Sequence, residues 1–231
     1  MKKYLILALG ICMAFAFPSC SGDDLETTEP PVEGNEGSEE GDENEDNPGQ
    51  PEVTNGSILI VYFSRAGENY GVGTVSVGNT AIMARYIQEY TEGATFEIVP
   101  TVPYPDGYDE MREVSQQETA SNARPAFNGQ VENWDQYSIV FVGAPIWYGA
   151  PPMIMRTFYE TYREELAGKT LVPFGTHAGS GVGSCTSLVR EYFPNATLLE
   201  TYGISGTSVR NEGARTEVES WLTRIGIPRH E

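Results

Sequence analysis

Basic residues are scarce in this sequence, and one long stretch has none. Fourteen Lys and Arg stand against thirty-three Asp and Glu in 231 residues, for a formal charge of −19. Residues 21–55 hold thirteen of the acids and no base. A chain this poor in positive charge lacks the basic patch that nucleic-acid backbones require, which excludes nucleic acid as a partner. Without that stretch and the two lysines before it, the remainder carries about −8. Most of the acidity is therefore local, and says little about the ligand of the rest. Cysteine is equally thin. Cys12 and Cys20 lie near the start and Cys185 stands alone beyond residue 55, so the larger part of the chain has no disulfide framework. There are two histidines, and His177 has no Ser/Asp partner motif around it. Gly179-Ser180-Gly181 lacks the spacing of a nucleophile elbow. These gaps leave no catalytic acid, base or nucleophile and no metal ligand set to name.

Three regions differ in composition. Lys2-Lys3 precede an apolar run, Tyr4 to Phe17, that falls short of the roughly 20 residues a membrane-spanning helix needs. Residues 1–20 read as a secretory signal. The run ends in Phe17-Pro18-Ser19-Cys20-Ser21-Gly22, which resembles the lipobox of bacterial lipoproteins, with Phe17 where Leu is usual. The resemblance implies acylation of Cys20 and a membrane attachment through lipid. The expected location is the cell envelope, on the periplasmic side or the outer surface of a Gram-negative outer membrane. Residues 21–55 have almost no aliphatic side chains, cannot offset the entropy of ordering, and read as a disordered acidic tether. Asp23-Asp24 resemble the surface-export signals of some lipoproteins; a plain spacer is the simpler reading.

Residues 56–231 alternate apolar runs with turn signals. Strands are predicted at 57–63, 96–99, 138–143, 170–174 and 197–199, with Pro100 stopping the second and Pro173 ending the fourth. Helices are predicted at 80–90, with Asn79 as N-cap, at 103–124 after opening turns, at 153–162 behind Pro151-Pro152, at 187–193 and at 216–225. Strand followed by helix, five times over, predicts one parallel sheet covered by helices on both faces. The order 2-1-3-4-5 places a ligand at the carboxyl ends of the central strands.

Three loops lie at those ends. After the first strand come Ser64-Arg65-Ala66-Gly67-Glu68-Asn69 and, further on, Gly78-Asn79-Thr80. Hydroxyls and backbone N–H groups at a strand-to-helix junction suit a phosphate without any lysine. After the third strand, Gly143-Ala144-Pro145-Ile146-Trp147-Tyr148-Gly149 presents two aromatics suited to stacking on a flat ring, unless Trp147 anchors the loop into the core. After the fourth, Thr176-His177-Ala178-Gly179-Ser180-Gly181 exposes backbone polar groups. Cys185 reads as a packed core thiol rather than an acidic one.

These blocks, with Val61-Tyr62-Phe63, Pro103-Tyr104-Pro105 and Asn122-Ala123-Arg124-Pro125, together resemble the flavodoxin family, and in particular a flavodoxin-like branch found among bacterial lipoproteins. The resemblance covers nearly all of residues 57–226. It implies a flavodoxin-like three-layer α/β sandwich with a five-stranded parallel sheet, and non-covalently bound FMN. Carried over by position, Ser64, Arg65, Gly78, Asn79 and Thr80 surround the phosphate. Pro145, Ile146, Trp147, Tyr148 and Gly149 line one side of the ring, and Thr176, His177, Gly179 and Gly181 the other. The stretch between Arg65 and Val77 exceeds the usual compact phosphate loop, and is expected to form a short hairpin or to cover the phosphate. Tyr104-Pro105 and Arg124-Pro125 read as structural turns.

Such a protein leaves the redox chemistry to its cofactor, and a domain near −8 lowers the potential of a bound flavin. Electron transfer with a redox partner protein is the first expectation. An FMN-dependent reductase acting on a small oxidant (a quinone, nitro or azo compound) is the second. A surface binding module that keeps the fold without the flavin is the third.

Overall fold

The computed structural model describes residues 57–230. The expected signal segment 1–20, the lipidation site Cys20 and the tether 21–55 lie outside the described residues.

The first predicted strand forms as β1 (Ile58–Tyr62). Its residues alternate between two cores. Ile58 and Ile60 pack into a cluster with Met83, Ile87, Phe141 and Trp221. Leu59 and Val61 pack into a second cluster with Ile154, Phe158 and Tyr159. A strand buried on both faces must be apolar throughout, which is why a continuous run rather than an alternating one forms the centre of a parallel sheet. Each such side chain contributes about 1.5–3 kcal/mol on burial.

β1 pairs in parallel with β4 (Ala94–Glu97) on one side and β7 (Ile139–Pro145) on the other. Beyond β7 lie β8 (Thr170–His177) and then β10 (Tyr202–Ser205), and the order β10-β8-β7-β1-β4 is the expected 2-1-3-4-5. Two helices, α1 (Asn79–Thr91) and α6 (Ala214–Arg224), cover the first core. On the other face α3 (Met153–Thr161) and α5 (Cys185–Tyr192) cover the second. α2 (Tyr108–Ser121) lies against α3 on this face, and a short α4 (Arg163–Leu166), not predicted, follows α3.

The fourth and fifth strands correct the sequence reading. Pro173 does not end its strand but sits in the middle of β8, opposite Val142. The fifth strand is split into β9 (Thr197–Leu198) and β10 (Tyr202–Ser205), which pair with the two halves of β8. Leu171 accepts from Leu199 N at 3.0 Å, so alternate residues 171 and 173 face the fifth strand. The donor that Pro173 lacks points at the gap between β9 and β10, and no ladder bond is lost. Trp221 holds this edge: it is fully buried, stacks on Tyr202 at 5.3 Å and donates Nε1–H to the carbonyl of Glu200 at 3.1 Å.

The stretch after Arg65 folds as an antiparallel hairpin, β2 (Gly67–Asn69) with β3 (Gly73–Val75). A second small ribbon, β5 (Val99–Pro100) with β6 (Phe127–Asn128), continues the chain past β4. Pro100 therefore lies within a ribbon instead of closing the strand before it.

Candidate functional site

The start of α1 differs from its prediction. Gly78, not Asn79, takes the N-cap position, and Asn79 is the first helical residue. A side chain at Gly78 would collide with Ser64 Oγ and approach the Arg65 carbonyl to 2.5 Å. The cap comes from the first loop, where Ser64 Oγ accepts from Ala81 N at 2.9 Å. The geometry therefore ties Ser64 to its helix, and it does not line the main cavity.

Arg65 is also committed locally. The residue is 8% exposed, and its guanidinium donates to the carbonyls of Glu68, Pro105, Asp106 and Gly107 at 2.6–3.3 Å. Burial pushes its pKa down, and the ring of carbonyl oxygens offsets that cost. The clasp explains the Pro103-Tyr104-Pro105 block. This turn supplies acceptors to Arg65, while Tyr104 packs edge-on against Trp147 at 5.2 Å and donates to Glu118 at 2.9 Å. Burial and the Glu118 carboxylate raise the Tyr104 pKa. The hairpin is fastened to the same turn. Glu68 N donates to Asp106 O at 2.8 Å, and the Glu68 carboxylate accepts from Tyr108 N at 3.1 Å. Gly67 has φ +82, and a Cβ there would stand 2.7 Å from Asp106 O. At the hairpin tip Tyr70 packs on Tyr108 with ring centres 5.8 Å apart.

After β7 the chain reverses in one tight turn. Trp147 N donates to Ala150 O at 2.8 Å and Ala150 N to Trp147 O at 3.1 Å. Tyr148 and Gly149 at its centre have φ +51 and +80, the left-handed pair such a two-residue turn demands. Trp147 also packs at 5.6 Å against Phe63, so it is both a core anchor and a wall of the cavity. Tyr148 is 57% exposed, and its hydroxyl accepts from Arg112 Nε and Gln116 Nε2, both at 3.0 Å.

At the end of β8, Thr176 Oγ1 lies 2.8 Å from Thr80 Oγ1, with both residues buried. His177 Nδ1 accepts from Gly179 N at 3.0 Å, which puts the neutral ring's proton on Nε2. Burial lowers the His177 pKa and favours that neutral form.

These loops enclose a cavity of about 320 Å³ at the carboxyl ends of β1, β7 and β8. Arg65, Asn79, Thr80, Pro145, Ile146, Trp147, Tyr148, Gly149, Thr176 and His177 line it. Four predicted residues do not. Ser64 and Gly78 border a separate polar pocket beside α1. Gly179 and Gly181 give way to their neighbours Ala178 and Ser180. Sequence reasoning missed Asn69, Tyr70, Tyr108, Met111, Arg112 and Gly206. Asn69 and Tyr70 belong to the insertion in the first expected loop, which folds as the hairpin. Tyr108, Met111 and Arg112 come from α2 and Gly206 from the turn after β10, outside the three loops. The aromatic Tyr70 inside a polar insertion was the available signal.

Two further sequence readings acquire a physical account. Cys185 is 1% exposed, and burial pushes its thiol up to about 12, so it is a core side chain. Arg124 makes a paired ion contact with Glu160 at 2.7 and 2.8 Å and bonds the end of α2, joining α2 to α3.

A family model described as Flavodoxin matches residues 57–225. Among solved structures, a protein from Bacteroides eggerthii assigned as a flavoprotein is 29% identical, with a TM-score of 0.57 over 73% of this chain and 97% of that one. Another so assigned, from Bacteroides uniformis, is 25% identical, with a TM-score of 0.58 over 73% and 98%. A flavoprotein from Lactobacillus acidophilus, solved in complex with FMN, shares the fold at 18% identity and a TM-score of 0.53 over 71% and 97%. No curated protein matches the chain.

Proposed function

The chain belongs to the flavodoxin family, and from that premise we propose that its cavity binds FMN and that the protein transfers electrons to a redox partner protein. The observation that carries this reading is that one cavity joins two chemistries. Asn79 and Thr80 open the N-terminal end of a 13-residue helix, where an anion is favoured by free N–H groups and the helix dipole. Trp147, Tyr148 and Tyr108 line the same cavity with flat faces that suit an isoalloxazine. Its volume, about 320 Å³, lies within the roughly 300–1,000 Å³ of cofactor and ligand sites.

When bound, FMN supplies one- and two-electron redox chemistry. The protein's part is binding and orientation. Asn79 and Thr80 would hold the phosphate, Thr176 keeps Thr80 in place, and Trp147, Tyr148 and the His177 loop would line the ring. The His177 Nε2–H offers a neutral donor to the cavity. Trp147 and Tyr148 on the cavity wall would shield a bound flavin, which would favour a protein partner over a small substrate. The absorption spectrum of the full chain, purified with added FMN and desalted, tests the reading. A retained flavin band with quenched fluorescence is expected, and a colourless protein refutes it. We further propose a lipid attachment at Cys20. Palmitate labelling that persists in Cys20→Ala would defeat that reading.

A further inference from the structure

Arg210 sits at the end of a short 3-10 turn, Ser208–Arg210, after β10. It reaches across the fold to the start of α1. Its Nε donates to Asn79 Oδ1 at 2.8 Å and its Nη2 to the carbonyl of Val77 at 2.5 Å. A guanidinium can only donate. The Asn79 amide is therefore held with its oxygen toward Arg210, since the flipped amide would set N–H against N–H. The Asn79 NH₂ group is left on the other side, beside Gly206, where any Cβ would collide with Nδ2. Asn79 and Gly206 both line the cavity. Among the described residues, no group accepts a hydrogen bond from Asn79 Nδ2. Two amide N–H groups are thus presented, next to Thr80, at the positive end of α1.

We propose that Arg210 is a positioning residue that fixes the Asn79 amide as a donor to the phosphate of the cofactor and so sets a preference for FMN over riboflavin. Arg210 does not itself line the cavity; it acts through Asn79. By also holding the Val77 carbonyl it closes the loop that leads into the helix. Gly206 completes the arrangement by leaving room for the turned amide. The inference rests on the FMN reading above.

The test compares the dissociation constants of FMN and riboflavin, read from fluorescence quenching by the full chain. A hydrogen bond to a charged group accounts for about a tenfold change in affinity. Arg210→Met is expected to weaken FMN about tenfold and to leave riboflavin within twofold (~2) of the parent. Asn79→Ala should do the same, and the double variant should be no worse than Asn79→Ala alone, because both act at one amide. Gly206→Ala displaces the amide without touching Arg210 and should reproduce the FMN-selective loss, even if Arg210→Met fails to fold. Equal weakening of both flavins overturns the proposal in favour of a purely structural Arg210. Additive losses in the double variant overturn it in favour of a direct charge effect. A parent protein that binds both flavins equally defeats this inference alone. One that binds neither defeats the FMN reading and this inference with it.

Discussion

At the α1 end of the cavity, Thr80 and Thr176 are 1% and 3% exposed and bonded to each other. At the aromatic end, Tyr148 is 57% exposed and held by hydrogen bonds to its hydroxyl from α2. The first end is fixed by burial and by the sheet, because each of its groups lies at a strand or helix terminus. The second is assembled from a turn, a helix surface and a hairpin. Groups of the first kind cannot reorganise, so they discriminate strictly between ligands that fill their bonds and ligands that do not. Groups of the second kind can adjust, so they tolerate changes in what stacks on them.

Trp147 spans both kinds of environment and should show the largest effect. Removing a fully buried aromatic costs about 3–5 kcal/mol. Trp147 is partly buried against Phe63 and Tyr104, and Trp147→Ala should cost about 2 kcal/mol in denaturant unfolding. It should also weaken FMN and riboflavin alike. If stability is unchanged, the residue is wall only. If flavin affinity is unchanged, it is anchor only.

Thr176→Val comes next, because it keeps the shape and removes one hydroxyl of the buried pair. Thr80 Oγ1 then has no partner, which costs about 1–3 kcal/mol. The loss should fall mainly on FMN rather than riboflavin if the α1 end takes the phosphate. Ser64→Ala should cost about 1 kcal/mol of stability, since its oxygen caps Ala81 N, with a smaller effect on flavin affinity. A flavin effect larger than the stability effect would return Ser64 to the ligand. Tyr148→Phe breaks only exposed bonds, and should change stability by under about 0.5 kcal/mol.

The same contrast governs how much could be read from the chain. Strand order and the three loops were legible because β1, β7 and β8 are continuous apolar runs that only a two-sided core can use. Thr176, Trp147 and His177 follow from their places at the ends of those runs, and Thr80 from its place at the start of the helix that follows the first. Pro173 was misread because its tolerance depends on a gap in a neighbouring strand, a non-local fact. The β10 segment contains Gly203 and is only partly buried, so it carries no strong period. Tyr108, Arg112 and Gly206 reach the cavity by tertiary packing alone. Asn79 is not the cap expected of it because the cap of α1 is delivered from a different element, by Ser64.

His177 gives the smallest effect and the finest test of the rigid end. Burial lowers its pKa in the fold below the ordinary value of 6.5. Above 6.5 the ring is neutral whether the chain is folded or not. As pH falls below 6.5 the unfolded chain takes up a proton before the folded one does, so stability must fall until the folded pKa is passed. The sign follows from burial of the ring; the Gly179 N–H, which points at Nδ1, must also be displaced if that nitrogen is protonated. A shallow loss of stability between pH 6.5 and the lower folded value is expected, and His177→Gln should flatten it. An imidazole proton resonance that titrates above 6.5 in the folded protein would reverse the sign, and would mean that a carboxylate or bound anion, rather than burial, controls the ring.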